Sequence, residues 1–193
     1  DSRDGVLAYN TNGDGEVKFV HDPWRPVPSL GGHLSPKPGP ANRRELDLRS
    51  DVATFTSKPF KKKLDIYGIP SLKVIAYADQ PGFDLCLALS IVNTEKQPIV
   101  NQISTGFLRI SGEDAFNETS REVFFQPILS SLHKGEQLRI SIAGSAWPAI
   151  GVNPGSETLT SGYPTMDFKV ITLTLRLAGS MLKLNEFPCL KDF

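Results

Sequence analysis

The amino-acid sequence predicts an all-β domain in the form of a jelly-roll-like β-sandwich. The first observation is a succession of short runs rich in β-branched and aromatic residues, separated by Gly, Pro, Asn and Asp at fairly regular spacing. The second is that helical periodicity is nearly absent. Short strands between turn signals are typical of sandwiches and jelly rolls rather than of α/β folds. Because neither an internal repeat nor a domain boundary is visible, we expect residues 1–193 to form one domain.

Four strands are predicted in the first part of the chain, at 16–21, 51–57, 63–67 and 71–79. The first strand follows a turn rich in Asn, Asp and Gly, and a lysine-rich turn separates the second strand from the third. Apolar residues occupy every second position of the fourth strand, at Leu72, Val74, Ala76 and Ala78. A period of two predicts a strand with one buried face.

Six further strands are predicted at 84–93, 98–110, 121–128, 136–144, 167–176 and 180–184. The segment Leu85–Val92 is almost continuously apolar, which predicts a central strand covered on both faces. A second inner strand is predicted by the alternation of Phe168, Val170, Thr172 and Thr174 with their neighbours. The single helical turn that we expect lies at Ser130–His133, before a Lys-Gly turn.

Residues 22–32, which we call the proline-rich segment, are the most informative part of the chain. Pro23, Pro26 and Pro28 each hold φ near −65° and lack a backbone N–H. Each proline also favours extended backbone in the residue before it. The segment therefore fits neither a helix nor a central strand, and it predicts a stiff, extended crossing. Gly31 and Gly32 allow the chain to turn at its end with positive φ.

Three motifs resemble a known family. The proline-rich segment reads Asp22-Pro23-Trp24-Arg25-Pro26-Val27-Pro28-Ser29-Leu30-Gly31-Gly32. It resembles a hallmark of the C-terminal β-sandwich of the X-prolyl dipeptidyl-peptidase and cocaine-esterase-like serine hydrolases. Arg49–Ser57 resembles the Arg-x-Asp-Val strand of that family, and Lys134–Ile142, followed by Asn153-Pro154-Gly155, resembles its Lys-Gly strand and Asn-Pro corner. The position after Lys-Gly, which is usually His in the family, is Glu136.

The resemblance implies a non-catalytic domain. In these hydrolases the catalytic triad belongs to an α/β-hydrolase domain that precedes the sandwich in the chain. The sandwich, whose jelly roll is galactose-binding-domain-like, packs on that domain and helps to wall the substrate cleft. The implied partner is therefore the catalytic domain of the same parent chain, of which residues 1–193 would be the C-terminal domain.

The same resemblance implies which residues approach the substrate. In the cocaine-esterase-like members, apolar residues just after the Gly-Gly turn approach the acyl pocket. The matching positions are His33, Leu34, Ser35 and Pro36, of which Leu34 keeps the apolar character, so a different pocket shape is implied. Trp24, between two prolines, is a further candidate for the cleft or the domain interface.

No residue of the chain itself is expected to be catalytic. The nearest approach to a Gly-x-Ser-x-Gly elbow is Ala143–Trp147, which lacks the second glycine. We therefore expect Ser145 to be a polar residue at a strand end, and His21 and His133 to be solvated or locally hydrogen-bonded. Trp147 is expected to cap the core at a corner.

Neither a metal nor a cofactor is expected. Asn10–Gly15 mimics the first half of a calcium loop, but the twelfth position, where a glutamate should stand, is His21. No zinc motif occurs, and Cys86 and Cys189 are expected to be free thiols. The 21 basic and 21 acidic residues balance, which argues against a nucleic-acid partner. No apolar run is long enough for a transmembrane helix.

Other readings of the sequence remain open. The compartment is unknown, although the absence of a signal-peptide pattern favours the cytoplasm. A free-standing carbohydrate-binding module would use exposed aromatic side chains, with Trp24 and Tyr163 as candidates. A structural domain would instead pair with a second copy of itself, as a homodimer.

Overall fold

The computed structural model describes residues 4–9, 13–93, 97–157, 161 and 165–186. Within this part of the chain, eleven strands form two sheets that pack face to face. The strands are β1 Asp4–Leu7, β2 Glu16–His21, β3 Ala41–Asn42, β4 Val52–Ser57, β5 Leu64–Ala78, β6 Gly82–Val92, β7 Val100–Ser111, β8 Thr119–Phe124, β9 Ile128–Leu132, β10 Gln137–Ala143 and β11 Ile171–Glu186. Helix α1 is Arg44–Asp47, and Gly112–Phe116 is a short 3₁₀-helix. No described helix has the length and apolar character needed to span a membrane.

The first sheet has the order β1-β4-β10-β6-β7-β3, and the second has the order β2-β11-β5-β8, with β9 also paired to β5. All pairs are antiparallel except β1 and β4. The core contains apolar side chains of both sheets, including Leu85 and Leu89 from β6 and Leu173 from β11. The predicted β-sandwich is therefore confirmed, and its galactose-binding-domain-like character stays a prediction.

Two pairs of predicted strands are single long strands. The predicted strands 63–67 and 71–79 merge into β5, and the predicted strands 167–176 and 180–184 merge into β11. Gly68 (φ 86°) is the last residue of β5 that pairs with β9, and the pairing of β5 with β8 begins at Ser71. Gly179 (φ 71°) lies in a register shift of β11. These glycines mark irregularities within strands rather than strand ends, because the partner strands continue past them.

The predicted helical turn at Ser130–His133 is wrong. Residues 128–132 form strand β9, in which Ser130 pairs with Ile66 and Ser131 pairs with Asp65. The predicted strand 121–128 ends instead as β8 at Phe124. Edge pairing with β5 satisfies the backbone groups of this segment, so the tertiary partner overrides the local preference for a turn.

The predicted burial patterns are largely confirmed. Leu72, Val74, Ala76 and Ala78 are all buried, and every residue of β6 is buried. The inner strand predicted near residue 170 exists as β11, which begins at Ile171. Ile171, Leu173 and Leu175 face the core with no exposure, whereas Val170 is 48% exposed.

Strand β6 is buried on both faces because different layers cover them. Its core-facing side chains, such as Leu85 and Leu87, pack against the second sheet. The other face of the first sheet carries Cys86 and Ala88 and lies under the proline-rich segment and the residues that follow β10. This outer layer contains the candidate functional site.

Candidate docking face and substrate-cleft loop

The proline-rich segment begins with a tight turn. The Asp22 side-chain Oδ1 accepts a hydrogen bond from the Trp24 N–H at 3.0 Å. The Asp22 carbonyl accepts one from the Arg25 N–H, also at 3.0 Å. With Pro23 in second position, this arrangement is an Asp-initiated turn. The Asp-Pro pair of the motif therefore has a backbone role.

The middle of the segment is held by residues 145–147. Pro26 and Pro28 have no N–H, and the two donors that remain, those of Val27 and Ser29, are both used. Val27 N donates to Ser145 Oγ at 2.8 Å, and Ser29 N donates to the Trp147 carbonyl at 2.7 Å. Trp147 N in turn donates to the Val27 carbonyl at 3.0 Å. The predicted extended crossing and the structural role of Ser145 are confirmed.

A small apolar cluster anchors the segment from below. Val27 is 2% exposed and packs with Leu46, Val52 and Ala143. Beside this cluster, Arg49 forms two hydrogen bonds to the Asp51 carboxylate, at 2.8 and 2.6 Å, and donates to the Arg25 carbonyl at 3.1 Å. The second family motif, Arg49-x-Asp51-Val52, thus holds the segment on the sheet.

Two glycines end the segment and close a loop. Gly31 (φ 60°) and Gly32 (φ 75°) are left-handed, as predicted. Gly32 and Gly39 exchange two backbone hydrogen bonds, at 2.8 and 3.1 Å, which close residues 33–38 into a loop that we call the 33–38 loop. A Cβ on Gly31 would overlap the Gly39 carbonyl and lie 2.7 Å from Ala41 Cβ. Only glycine fits this close approach.

A buried polar network holds the base of the loop. Gln102 Nε2 donates to the Leu30 carbonyl at 2.6 Å, and Gln102 Oε1 accepts from Arg43 Nη1 at 2.7 Å. Arg43 also pairs with Asp47 at 3.1 Å, and Arg139 lies 3.5 Å from the other Asp47 oxygen. Burial lowers the pKa of Arg43, while Asp47 acts in the opposite direction. Because the hydrogen bonds of this network strengthen one another, they hold the Gly31-Gly32 turn in a defined position.

A cavity of about 310 Å³ lies between this segment and the first sheet. Small residues, among them Cys86, Ala88 and Ala143, line it together with the 33–38 loop. Phe107 and Phe124 also line it and are 39% and 59% exposed. A preformed depression with exposed apolar side chains around it is typical of a surface that another molecule covers.

The structure brings some of the predicted site residues together. His33, Leu34 and Ser35 all line the cavity, whereas Pro36 is exposed and does not line it. Trp24 is 48% exposed and packs in a tilted orientation on Phe168, with ring centroids 6.4 Å apart. The roles of these residues in a cleft or interface stay predictions.

Sequence reasoning missed the aromatic part of this surface. Phe107 and Phe124 stand in strands, where a lone aromatic residue ordinarily predicts a core position. Trp147, predicted to cap the core, is 52% exposed, so that prediction is wrong. Its backbone pairs with the proline-rich segment, which leaves the ring at the surface.

His21 is buried and its ring nitrogens lack hydrogen bonds of normal geometry to the described residues, so the prediction of a solvated or locally hydrogen-bonded ring is wrong. His21 is 1% exposed, and a Cβ on Gly144 would lie 2.6 Å from its Cβ. The Asn153 backbone lies close to the ring, yet neither ring nitrogen makes a hydrogen bond of normal geometry with a described residue. Burial lowers the pKa of His21 from its ordinary 6.5, although Asp84 and, more weakly, Asp51 and Asp22 favour the charged ring. His133 is exposed, as predicted.

The lowered pKa of His21 predicts acid sensitivity. As the pH falls below 6.5, the unfolded chain binds a proton at this residue more readily than the folded chain, whose His21 pKa is lower. The free energy of unfolding should therefore fall as the pH drops below this value and be level, as far as His21 is concerned, above it. Urea unfolding at a series of pH values should show this fall. His21→Leu should reduce this fall in the free energy of unfolding, whereas His133→Leu should leave the fall unchanged. The same dependence on pH in both variants would contradict the assignment of the acid sensitivity to His21.

A second buried cluster secures the Asn-Pro corner. The Asp84 side chain is fully buried and accepts two hydrogen bonds from Arg109, at 2.8 and 2.7 Å. Asn153 Nδ2 donates to Asp84 at 2.9 Å, and Asn153 Oδ1 accepts from Gly155 N at 3.0 Å. Arg109 also donates to the Gly151 carbonyl. Hydrogen bonding to Asp84 raises the pKa of Arg109.

Some sequence predictions concern residues that the structure does not describe. Residues 10–12 of the calcium-like turn, Tyr163 and Cys189 lie outside the described ranges. Cys86 is a free, buried thiol whose pKa is raised by burial. Within the described ranges, no group of three or more His, Cys, Asp or Glu side chains is placed to hold a metal ion.

The fold and its anchored outer layer define a β-sandwich whose motif residues hold the backbone of the proline-rich segment in place. The family described as X-Pro dipeptidyl-peptidase C-terminal non-catalytic domain matches residues 8–174, and the chain belongs to this family. The resemblance seen in the motifs is thereby confirmed. No curated protein is significantly similar in sequence.

Solved structures share the fold. An aminopeptidase from the marine sediment archaeon Thaumarchaeota archaeon is similar with a TM-score of 0.80 at 14% identity, over 97% of this chain and 36% of that chain. An α-amino acid ester hydrolase is similar with a TM-score of 0.77 at 19% identity, over 89% and 32% of the two chains. A CocE/NonD family hydrolase from Staphylococcus aureus has a TM-score of 0.51 at 13% identity, over 94% and 38%. The chain thus spans about a third of the length of these proteins.

Proposed function

We propose that this non-catalytic domain packs against an α/β-hydrolase catalytic domain of the same parent chain and helps to wall its substrate cleft. The observation that carries the proposal is the 33–38 loop. The Gly32–Gly39 hydrogen bonds close the loop, the Arg43–Gln102 network holds its base, and it presents Leu34 at 54% exposure beside the cavity.

The physical reason is the rigidity of the support. Loops held by a scaffold can keep side chains within a fraction of an ångström over a neighbouring site. They can supply specificity and exclude water while the nucleophile and the oxyanion hole come from the other domain. In this proposal His33, Leu34, Ser35 and Pro36 border the cleft, and Trp24 belongs to the domain interface.

The proposed parent enzyme is a serine hydrolase of the X-Pro dipeptidyl-peptidase or acyl/ester type. Support comes from the family of the chain and from fold neighbours named as an aminopeptidase and as ester and CocE/NonD hydrolases. The carbohydrate-binding alternative would need Trp24 together with Tyr163. Trp24 already packs on Phe168, and Tyr163 lies outside the described residues, so that alternative and the homodimer remain sequence predictions.

Activity assays of the chain and its parent enzyme test the proposal. With fluorogenic X-Pro amides and short esters, the 193-residue chain should show no turnover. The parent enzyme should turn over one of these classes, and a serine-directed phosphonate should abolish that activity. In the parent, Leu34→Ala should change the ratio of the kcat/KM values for large and small acyl groups about tenfold. The reason is that the side chain forming part of the pocket wall is lost.

The matched control is Leu129→Ala, since Leu129 is 78% exposed and lies in β9 of the second sheet. This variant should leave kcat/KM unchanged. Phosphonate-sensitive turnover by the chain alone would contradict the proposal, as would equal effects of the Leu34 and Leu129 substitutions.

A further inference from the structure

The cavity beneath the proline-rich segment exists because small side chains line its floor. Ala143 and Cys86 are paired neighbours on β10 and β6, and Ala88 pairs with Thr105 of β7. Each of these small residues points to the outer face of the first sheet and lines the cavity. The larger side chain of the neighbouring Phe107 also lines the cavity, which lies between Phe107 and the 33–38 loop.

Three polar side chains in the wall are already paired inside the domain, whereas Ser29 Oγ, also in the wall, is buried without a hydrogen-bond partner among the described residues. Gln102 bonds to Arg43 and to the Leu30 carbonyl, Arg43 also bonds to Asp47, and Ser145 Oγ accepts from Val27. A buried water needs two to four polar partners, and the floor of Cys86, Ala88 and Ala143 offers it none. The interior of the cavity therefore favours carbon atoms over water.

His33, Leu34 and Ser35 of the 33–38 loop line the cavity, and His33 and Leu34 are exposed, so the cavity opens beside the loop. A domain that packs on the loop must therefore cover the mouth. The volume of about 310 Å³ is large enough for several water molecules. Left empty under a cover, a space of this size would be strongly unfavourable, because its lining would lose contacts on one side.

We propose that the catalytic domain inserts one large apolar side chain into this cavity, as the anchor of the domain interface. The inference rests on the proposed function and adds to it the chemistry of the contact. An anchor of this kind, desolvated in a pocket and rimmed by Phe107 and Phe124, has the character of an interface hot spot.

Xenon, which binds to apolar cavities, is the probe that tests the inference. Crystals of the 193-residue chain pressurised with xenon should show the gas beside Cys86 and Ala88. Crystals of the parent enzyme should show none there, because the anchor fills the space. Ala88→Leu should remove the xenon site from the chain without lowering its unfolding midpoint, and Ala88→Val offers a smaller step if leucine does not fit.

Variants of the parent enzyme supply the second readout. Ala88→Leu should displace the anchor and raise the rate of proteolytic cleavage between the two domains about tenfold, as expected for loss of a hot spot. Ala178→Leu, at an exposed position of β11, is the matched control and should leave the rate unchanged.

Footprinting separates failure of this inference from failure of the proposed function. If hydroxyl radicals oxidise Phe107 and Phe124 equally in the chain and in the parent, nothing covers the rim and both proposals fail. If the rim is protected but xenon still enters the parent enzyme, the domain docks without an anchor and only this inference is overturned. Absence of xenon from the isolated chain would also overturn it.

Discussion

Replacement of Asp84 by alanine is expected to lower the free energy of unfolding by about 3–5 kcal/mol, the cost of breaking a buried ion pair from one side. The Asp84 side chain is fully buried, and the Arg109 side chain is 24% exposed. Without the carboxylate, the ion pair with Arg109 is lost and Asn153 loses its acceptor. Because Asn153 holds the Asn-Pro corner, residues 151–155 should loosen as well. Urea unfolding followed by tryptophan fluorescence measures the loss.

Two variants complete the Asp84 experiment. Asp84→Asn keeps the shape of the side chain and one acceptor oxygen. Its free energy of unfolding should therefore lie between that of the wild type and that of Asp84→Ala. Asp65→Ala removes a partly exposed carboxylate that pairs with Lys63 and accepts a hydrogen bond from Ser131, and its effect should be smaller. A loss for Asp84→Ala no greater than that for Asp65→Ala would show that the buried cluster does not carry the corner.

The second large effect is expected for Gly31→Ala. A left-handed backbone costs a non-glycine residue about 1–3 kcal/mol. At Gly31 the added Cβ would also overlap the Gly39 carbonyl and crowd Ala41, so the closing hydrogen bonds of the 33–38 loop must move. We expect a total loss of about 3 kcal/mol or more in the free energy of unfolding.

Gly112→Ala separates strain from overlap. Gly112 has φ 69°, close to the 60° of Gly31, but a Cβ there meets no atom of a described residue within 4 Å. The decrease in the free energy of unfolding of Gly112→Ala therefore measures the backbone strain alone. Gly31→Ala should exceed it by about 1–3 kcal/mol, the usual cost of overpacking. Equal losses in the two variants would mean that the close approach to Gly39 is easily relieved.

The sequence predicted the proline-rich segment well because its constraints are local. Proline limits φ and removes a donor wherever it stands, and the Gly-Gly pair permits positive φ. The same applies to the half-buried strand at Leu72–Ala78 and to the fully buried strand at Leu85–Val92, whose patterns follow from the period of a strand.

Strand continuity could not be predicted in the same way. Gly68 and Gly179 look like strand ends locally, yet β5 and β11 pass through them because neighbouring strands continue the pairing. The local sequence of Ser130–His133 favours a helical turn, but its residues 130–132 pair with β5 as part of a strand. Which residues pair across a sheet depends on parts of the chain that are distant in sequence.

The candidate site shows the same division. The sequence alone determined the class of fold, the shape of the proline-rich segment and the position of the loop that follows Gly32. Only the tertiary structure decided that Leu34, Phe107 and Phe124 surround one cavity, that Trp147 lies at the surface and that His21 is buried without a hydrogen-bond partner among the described residues. Backbone restrictions act within a few residues and can therefore be predicted from the local sequence. Burial depends instead on which distant segments of the chain pack over a residue.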